Sequence, residues 1–163
     1  MSEPAPSVPV TRLNHAVLYV RDLDRSVDFY KAAFGFLEIA REGGRMAFLR
    51  AGDTSNHHDL ALMEVGSAAP SPPRGAVGLY HLAWEVPAIE DLARAAESLS
   101  NLGALTGMSD HGVSKSLYGK DPDGIEFEVM WAVPQEHWGE YDRLGVVLPL
   151  DLQRELERFG AAK

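Results

Sequence analysis

At 163 residues the chain suits one domain or two small fused halves, and it can bury about 70% of its unfolded surface without disulfides or a structural metal. Its net charge is −9, from 15 basic and 24 acidic residues, with no Lys/Arg cluster, which argues against nucleic acid as a partner. Lacking cysteine, it has no disulfide framework, thiolate nucleophile or iron–sulfur site.

The first ten residues, MSEPAPSVPV, carry neither a basic nor an apolar signal-peptide region and read as a disordered, proline-rich lead-in. No apolar run nears the roughly 20 residues of a membrane helix. A cytoplasmic protein without membrane contact is expected.

A strand is predicted over 13–20, LNHAVLYV. Asp22 or Asp24 then caps a helix running to about Phe34, with Leu23, Val27, Tyr30 and Phe34 along one stripe and Gly35 at its C-terminus. Strands follow at about 36–41 and 45–50, joined by the hairpin signal EGGR, and at 58–65. The Pro/Gly/Ser-rich stretch 66–78 is a linker. The same order then recurs: a strand at 79–86, a helix from about 89 to 102, and strands near 104–109, 113–119 and 125–131. DPDG is the turn before the last strand. The fold expected is α+β, with βαβββ modules at 11–65 and 79–131 in one functional domain. A C-terminal extension, 132–163, ends in a weakly amphipathic helix starting at Asp151 and suggests a flap over an edge strand or an oligomer contact.

His15 and His81 hold the same place in the two repeats. On the last strand Phe127, Val129 and Trp131 form an apolar face, so Glu128 points the other way, into a cavity. An ionised carboxylate on an inner face needs a counter-charge, which a divalent cation supplies. His15, His81 and Glu128 thus make a candidate facial metal triad of two imidazoles and one carboxylate that leaves coordination positions open.

With these residues, the chain resembles the vicinal oxygen chelate superfamily over about 11–131. That group includes glyoxalase I, methylmalonyl-CoA epimerase, fosfomycin resistance proteins and extradiol dioxygenases. The resemblance implies a U-shaped mixed sheet around a divalent metal, helices outside, with His15, His81 and Glu128 as ligands. HHDLAL (57–62) and HGVSKSLYGKDPDG (111–124) are most like the type I extradiol catechol 2,3-dioxygenases. That likeness implies His58 as the acid/base, Tyr118 as a hydrogen-bonding partner of the substrate, and His111 as support behind them. It implies Fe(II), with Mn(II) or another divalent metal as substitutes, and an aromatic diol and dioxygen as substrates.

Two other classes compete. A glyoxalase- or epimerase-type isomerase needs a fourth ligand; aligning the halves on their histidines puts Leu62 there, with Glu64 two residues away. A metal-free sequestering resistance protein would lack the triad. Open sheet edges and the run Val146, Val147, Leu148 and Leu150, without a partner in either module, suggest a homodimer with about 134–159 at its interface. Each chain is expected to hold its own triad.

Overall fold

The computed structural model describes residues 8–73 and 75–161, so most of the expected disordered lead-in lies outside the described residues. The first half runs β1 (Ala16–Val20), α1 (Leu23–Phe34), β2 (Leu37–Glu42), β3 (Met46–Arg50) and β4 (Leu60–Glu64). The second repeats it as β5 (Leu82–Glu85), α2 (Ile89–Asn101), β6 (Leu105–Asp110), β7 (Ser114–Lys120) and β8 (Glu126–Ala132). Two short 3-10 turns, Gln135–His137 and Gly139–Arg143, lead to β9 (Leu148–Pro149) and α3 (Leu152–Phe159).

Local chemistry explains these boundaries. The Asp22 side chain accepts from the Arg25 N–H at the start of α1. Gly35 takes the left-handed conformation at its end and donates to the Lys31 carbonyl. Leu23, Val27 and Tyr30 are buried along the inner stripe. Both first strands begin later than their apolar runs suggest. Pairing starts at Ala16 with Leu60 and at Leu82 with Phe127, leaving Leu13 and Leu79 exposed. His15 and His81 therefore stand one residue before their strands.

The architecture is α+β with two mixed sheets and the helices outside. Strand orders are β1-β4-β3-β2 and β5-β8-β7-β6-β9, with β1/β4 and β5/β8 parallel and the other pairs antiparallel. Hydrogen bonding runs in two sheets, and the halves are joined by side chains. Phe29, Phe34 and Trp84 pack against the cores of both halves. Phe34 meets Phe127 edge-on at 5.1 Å, and Phe36 meets Trp84 at 5.2 Å.

DPDG does more than turn the chain. Asp121 accepts the Asp123 and Ile125 N–H groups and the buried Tyr30 hydroxyl, the last at 3.1 Å. Asp123 pairs with Arg21 at 3.0 Å. Both aspartates thus tie the second half to the first. Burial and the Asp121 carboxylate push the Tyr30 pKa well above its usual value, so the hydroxyl keeps its proton.

The extension packs on its own second half, where the run 146–150 finds a partner strand in β6. β9 pairs with β6 and covers that edge, as the flap reading anticipates. Leu152, Leu156 and Phe159 of α3 lie on the core around Trp131. The buried Lys115 ammonium contacts Asp110 at 2.5 Å and Glu155 at 3.4 Å, joining β6 and β7 to α3. Leu148 is paired with Asp110, while Val147 remains exposed.

Candidate metal centre

On β8, Phe127, Val129 and Trp131 are buried towards the helices, and Glu128 takes the opposite face. The β5/β8 register sets Glu128 against Ala83. His81, two residues before Ala83, reaches it: Nε2 lies 2.9 Å from Glu128 Oε2, with side chains 25% and 13% exposed. The imidazole N–H donates to the carboxylate, and His81 Nδ1 is buried with no partner among the described residues.

Tyr118 stands opposite Glu128 on β7. Burial, and then the Glu128 charge, push its pKa up, so its hydroxyl stays protonated at neutral pH. His111 Nε2 lies 2.7 Å from the Tyr118 oxygen, and His111 Nδ1 lies 2.8 Å from the Val146 carbonyl. Four expected site residues, His81, Glu128, Tyr118 and His111, therefore form one contiguous group in the second half.

His15 and His58 form a second group. Their rings are 4.5 Å apart, and the His58 ring also meets Phe48 at 5.0 Å. His15 Nδ1 contacts Asn14 Oδ1 at 2.9 Å. Asn56 braces the group by donating to the Asn14 carbonyl and to Asp59 Oδ1. Neither asparagine stands out in the sequence; only adjacency to the histidine segments could have flagged them. Burial lowers the His58 pKa, the His15 and His57 charges lower it further, and Asp59 partly opposes them. The ring is thus neutral, its basic form, near pH 7.

An imidazole beside a carboxylate fits a divalent cation as two of its donors, because the cation's charge can replace the shared proton. The third expected donor, His15, is held with His58. Among the described residues, no three His, Asp or Glu side chains gather as a cation site. The residues in one chain fit a cation only in part.

Glu64 faces elsewhere. Its Oε2 accepts the Leu23 N–H at 3.0 Å, satisfying the first turn of α1. Strand register also corrects the counterpart of Glu128. β1/β4 pairing sets Val17 against Ala61 as β5/β8 sets Ala83 against Glu128, so the matching position is Ala61 rather than Leu62. Both residues are fully buried, and neither side chain can ligate.

A cavity of about 660 Å³ lies at the junction of the halves, lined by Phe34, Phe36, Trp84, Asp91 and Arg94 among others. None of the candidate site residues lines it.

Residues 12–129 match the Glyoxalase/Bleomycin resistance protein/Dioxygenase superfamily, and the chain belongs to that superfamily. It is 34% identical over 154 residues to a catechol-2,3-dioxygenase of Bacillus subtilis (strain 168), covering 92% of this chain and 53% of that protein. It is 31% identical over 123 residues to a lactoylglutathione lyase of Neisseria meningitidis, covering 72% and 88%. A glyoxylase/bleomycin resistance protein/dioxygenase domain from Frankia sp. EAN1pec superposes with a TM-score of 0.65 at 26% identity, covering 76% of this chain and 99% of that one. The chain spans about half, or less, of the length of the first curated relatives it matches. No helix among the described residues is long and apolar enough to cross a membrane.

Proposed function

We propose that the chain is an extradiol-type ring-cleaving dioxygenase acting on a catechol-type aromatic diol with dioxygen. The observation that carries this is the His81–Glu128 pair with Ala61, which cannot ligate, at the matching place in the first half. That arrangement leaves coordination positions open, where an isomerase of the superfamily would want a fourth protein donor. The relative named catechol-2,3-dioxygenase supports the substrate class.

The proposed cofactor is Fe(II), with Mn(II) as the alternative, held by His81, Glu128 and His15. When bound by these residues, a divalent cation would supply the orientation of a diol and dioxygen beside one another. His58, neutral and half-buried, takes a proton from a diol hydroxyl and returns it as the ring opens. Tyr118 offers its oxygen to the same hydroxyls, and His111 supports it from behind.

A homodimer is part of the proposal. Val17 and Tyr19, 49% and 68% exposed, and Tyr80, 74% exposed, leave apolar surface beside both histidine groups, which a second copy covers. The expected single-chain triad gives way in this proposal to a shared one, because His15 sits with His58 and not with Glu128 in its own chain: His15 of one copy completes the His81–Glu128 pair of the other. Chains carrying His15→Ala and Glu128→Ala, bound to no metal alone, should regain metal when co-expressed. No regain would place all three donors within one chain.

Anaerobic reconstitution with Fe(II) or Mn(II), followed by oxygen-electrode traces with a panel of catechols, tests the activity. Oxygen uptake that depends on the diol is expected. A metal-loaded protein that consumes no oxygen but isomerises a glutathione hemithioacetal would move it to the lactoylglutathione lyase class.

A further inference from the structure

The C-terminal extension is fastened around one residue pair of the site. β9 pairs with Ser109 and Asp110, just before His111. Lys115 ties Asp110 to Glu155 of α3. The Tyr141 ring rests on Gly112, which has φ +77; a Cβ there would lie 2.4 Å from the Tyr141 ring. Between these anchors the Val146 carbonyl meets His111 Nδ1 at 2.8 Å.

A carbonyl only accepts, so His111 Nδ1 carries a proton. In the neutral ring Nε2 then has a free lone pair, 2.7 Å from the Tyr118 oxygen, and the hydroxyl donates to it. Glu128 faces Tyr118 across β7/β8 and its charge acts on the same hydroxyl, which makes it the competing acceptor for that proton.

We propose that the extension is a positioning element for the site: Val146 fixes His111 as its Nδ1–H tautomer, and His111 draws the Tyr118 hydroxyl proton away from Glu128. The carboxylate is left free for His81 and a cation, and the Tyr118 oxygen turns a lone pair toward a hydroxyl-bearing ligand. His111 and Val146 act through Tyr118 and touch no ligand themselves. The part concerning the cation rests on Glu128 being a metal ligand, as proposed above; the tautomer does not.

The experiment is a long-range proton–nitrogen correlation spectrum on protein labelled with 15N-histidine, the His111 signals being assigned by their loss in His111→Gln. Wild type should show Nδ1 protonated and Nε2 bare. Tyr141→Ala, which frees the extension over Gly112, should populate the other tautomer and weaken Mn(II) binding roughly tenfold. Adding Tyr118→Phe should restore Mn(II) affinity, because no hydroxyl is left to occupy Glu128; a merely structural lesion would not be rescued. Gly112→Ala provides a second route to the same displacement. An Nε2–H tautomer in wild type, or an unchanged tautomer in both tail variants, would overturn the proposal. So would weakened Mn(II) binding that Tyr118→Phe does not rescue. Wild type that binds no Mn(II) yet shows the expected tautomers would refute the metal assignment and leave the positioning role standing.

Discussion

His81 reaches Glu128 across the parallel β5–β8 pair, Nε2 to Oε2 at 2.9 Å, although His81 precedes the first paired residue of its strand. Both side chains are largely shielded, so the contact counts for more than a surface ion pair would. Glu128→Gln keeps the shape and an acceptor oxygen but removes the charge a cation needs. Metal content after Mn(II) loading, read by elemental analysis, should fall more than about tenfold, since even removing outer support for a ligand costs that much. The thermal midpoint should barely move. Normal metal content would show that Glu128 is not a ligand.

For His58, replacement by Phe preserves an aromatic ring against Phe48 while removing the proton carrier. Metal binding should persist and diol turnover should drop about 10²–10⁴-fold. Equal losses of metal and activity would make His58 a ligand or a scaffold residue.

The role of Glu64 separates stability from binding. Because it accepts the Leu23 N–H, Glu64→Ala should cost about 1 kcal/mol by urea denaturation and leave Mn(II) affinity unchanged. A large loss of affinity would reopen the four-donor isomerase reading.

The repeat was legible because its signals are local. Alternation on 126–131 put Glu128 on the inner face and Phe127, Val129 and Trp131 against the helices, and the structure buries those three. Asp22 and Gly35 marked both ends of α1, and EGGR marked the β2–β3 turn. What failed depends on long-range pairing. Counting from the histidines makes Leu62 the counterpart of Glu128 because it assumes equal chain lengths between first and last strands, whereas pairing gives Ala61. The meeting of His15 with His58, and of Tyr30 and Arg21 with the DPDG aspartates, is set by how the halves pack, which no window of sequence encodes. How the extension is fastened is equally hidden in the sequence, because Lys115, an apparently ordinary strand lysine, is the buried tie that holds it.

That tie gives a further test. Lys115→Met leaves Asp110 without its buried cation and Glu155 only the distant Arg158, so a loss of about 3–5 kcal/mol is expected in the urea unfolding free energy. Truncation after Val133 should expose Trp131 and yield unstable protein, since the extension covers its own half. A stable truncated chain would show that the extension packs only loosely.

The most direct test of the account is the fate of dioxygen. Reconstituted protein is given a catechol under ¹⁸O₂, and the product is weighed by mass spectrometry alongside oxygen uptake. Oxygen and diol should be consumed in equal amounts, and the carboxylate of the ring-opened product should carry the label. An unlabelled product, or intact diol with no oxygen uptake from protein holding a full complement of metal, would contradict it.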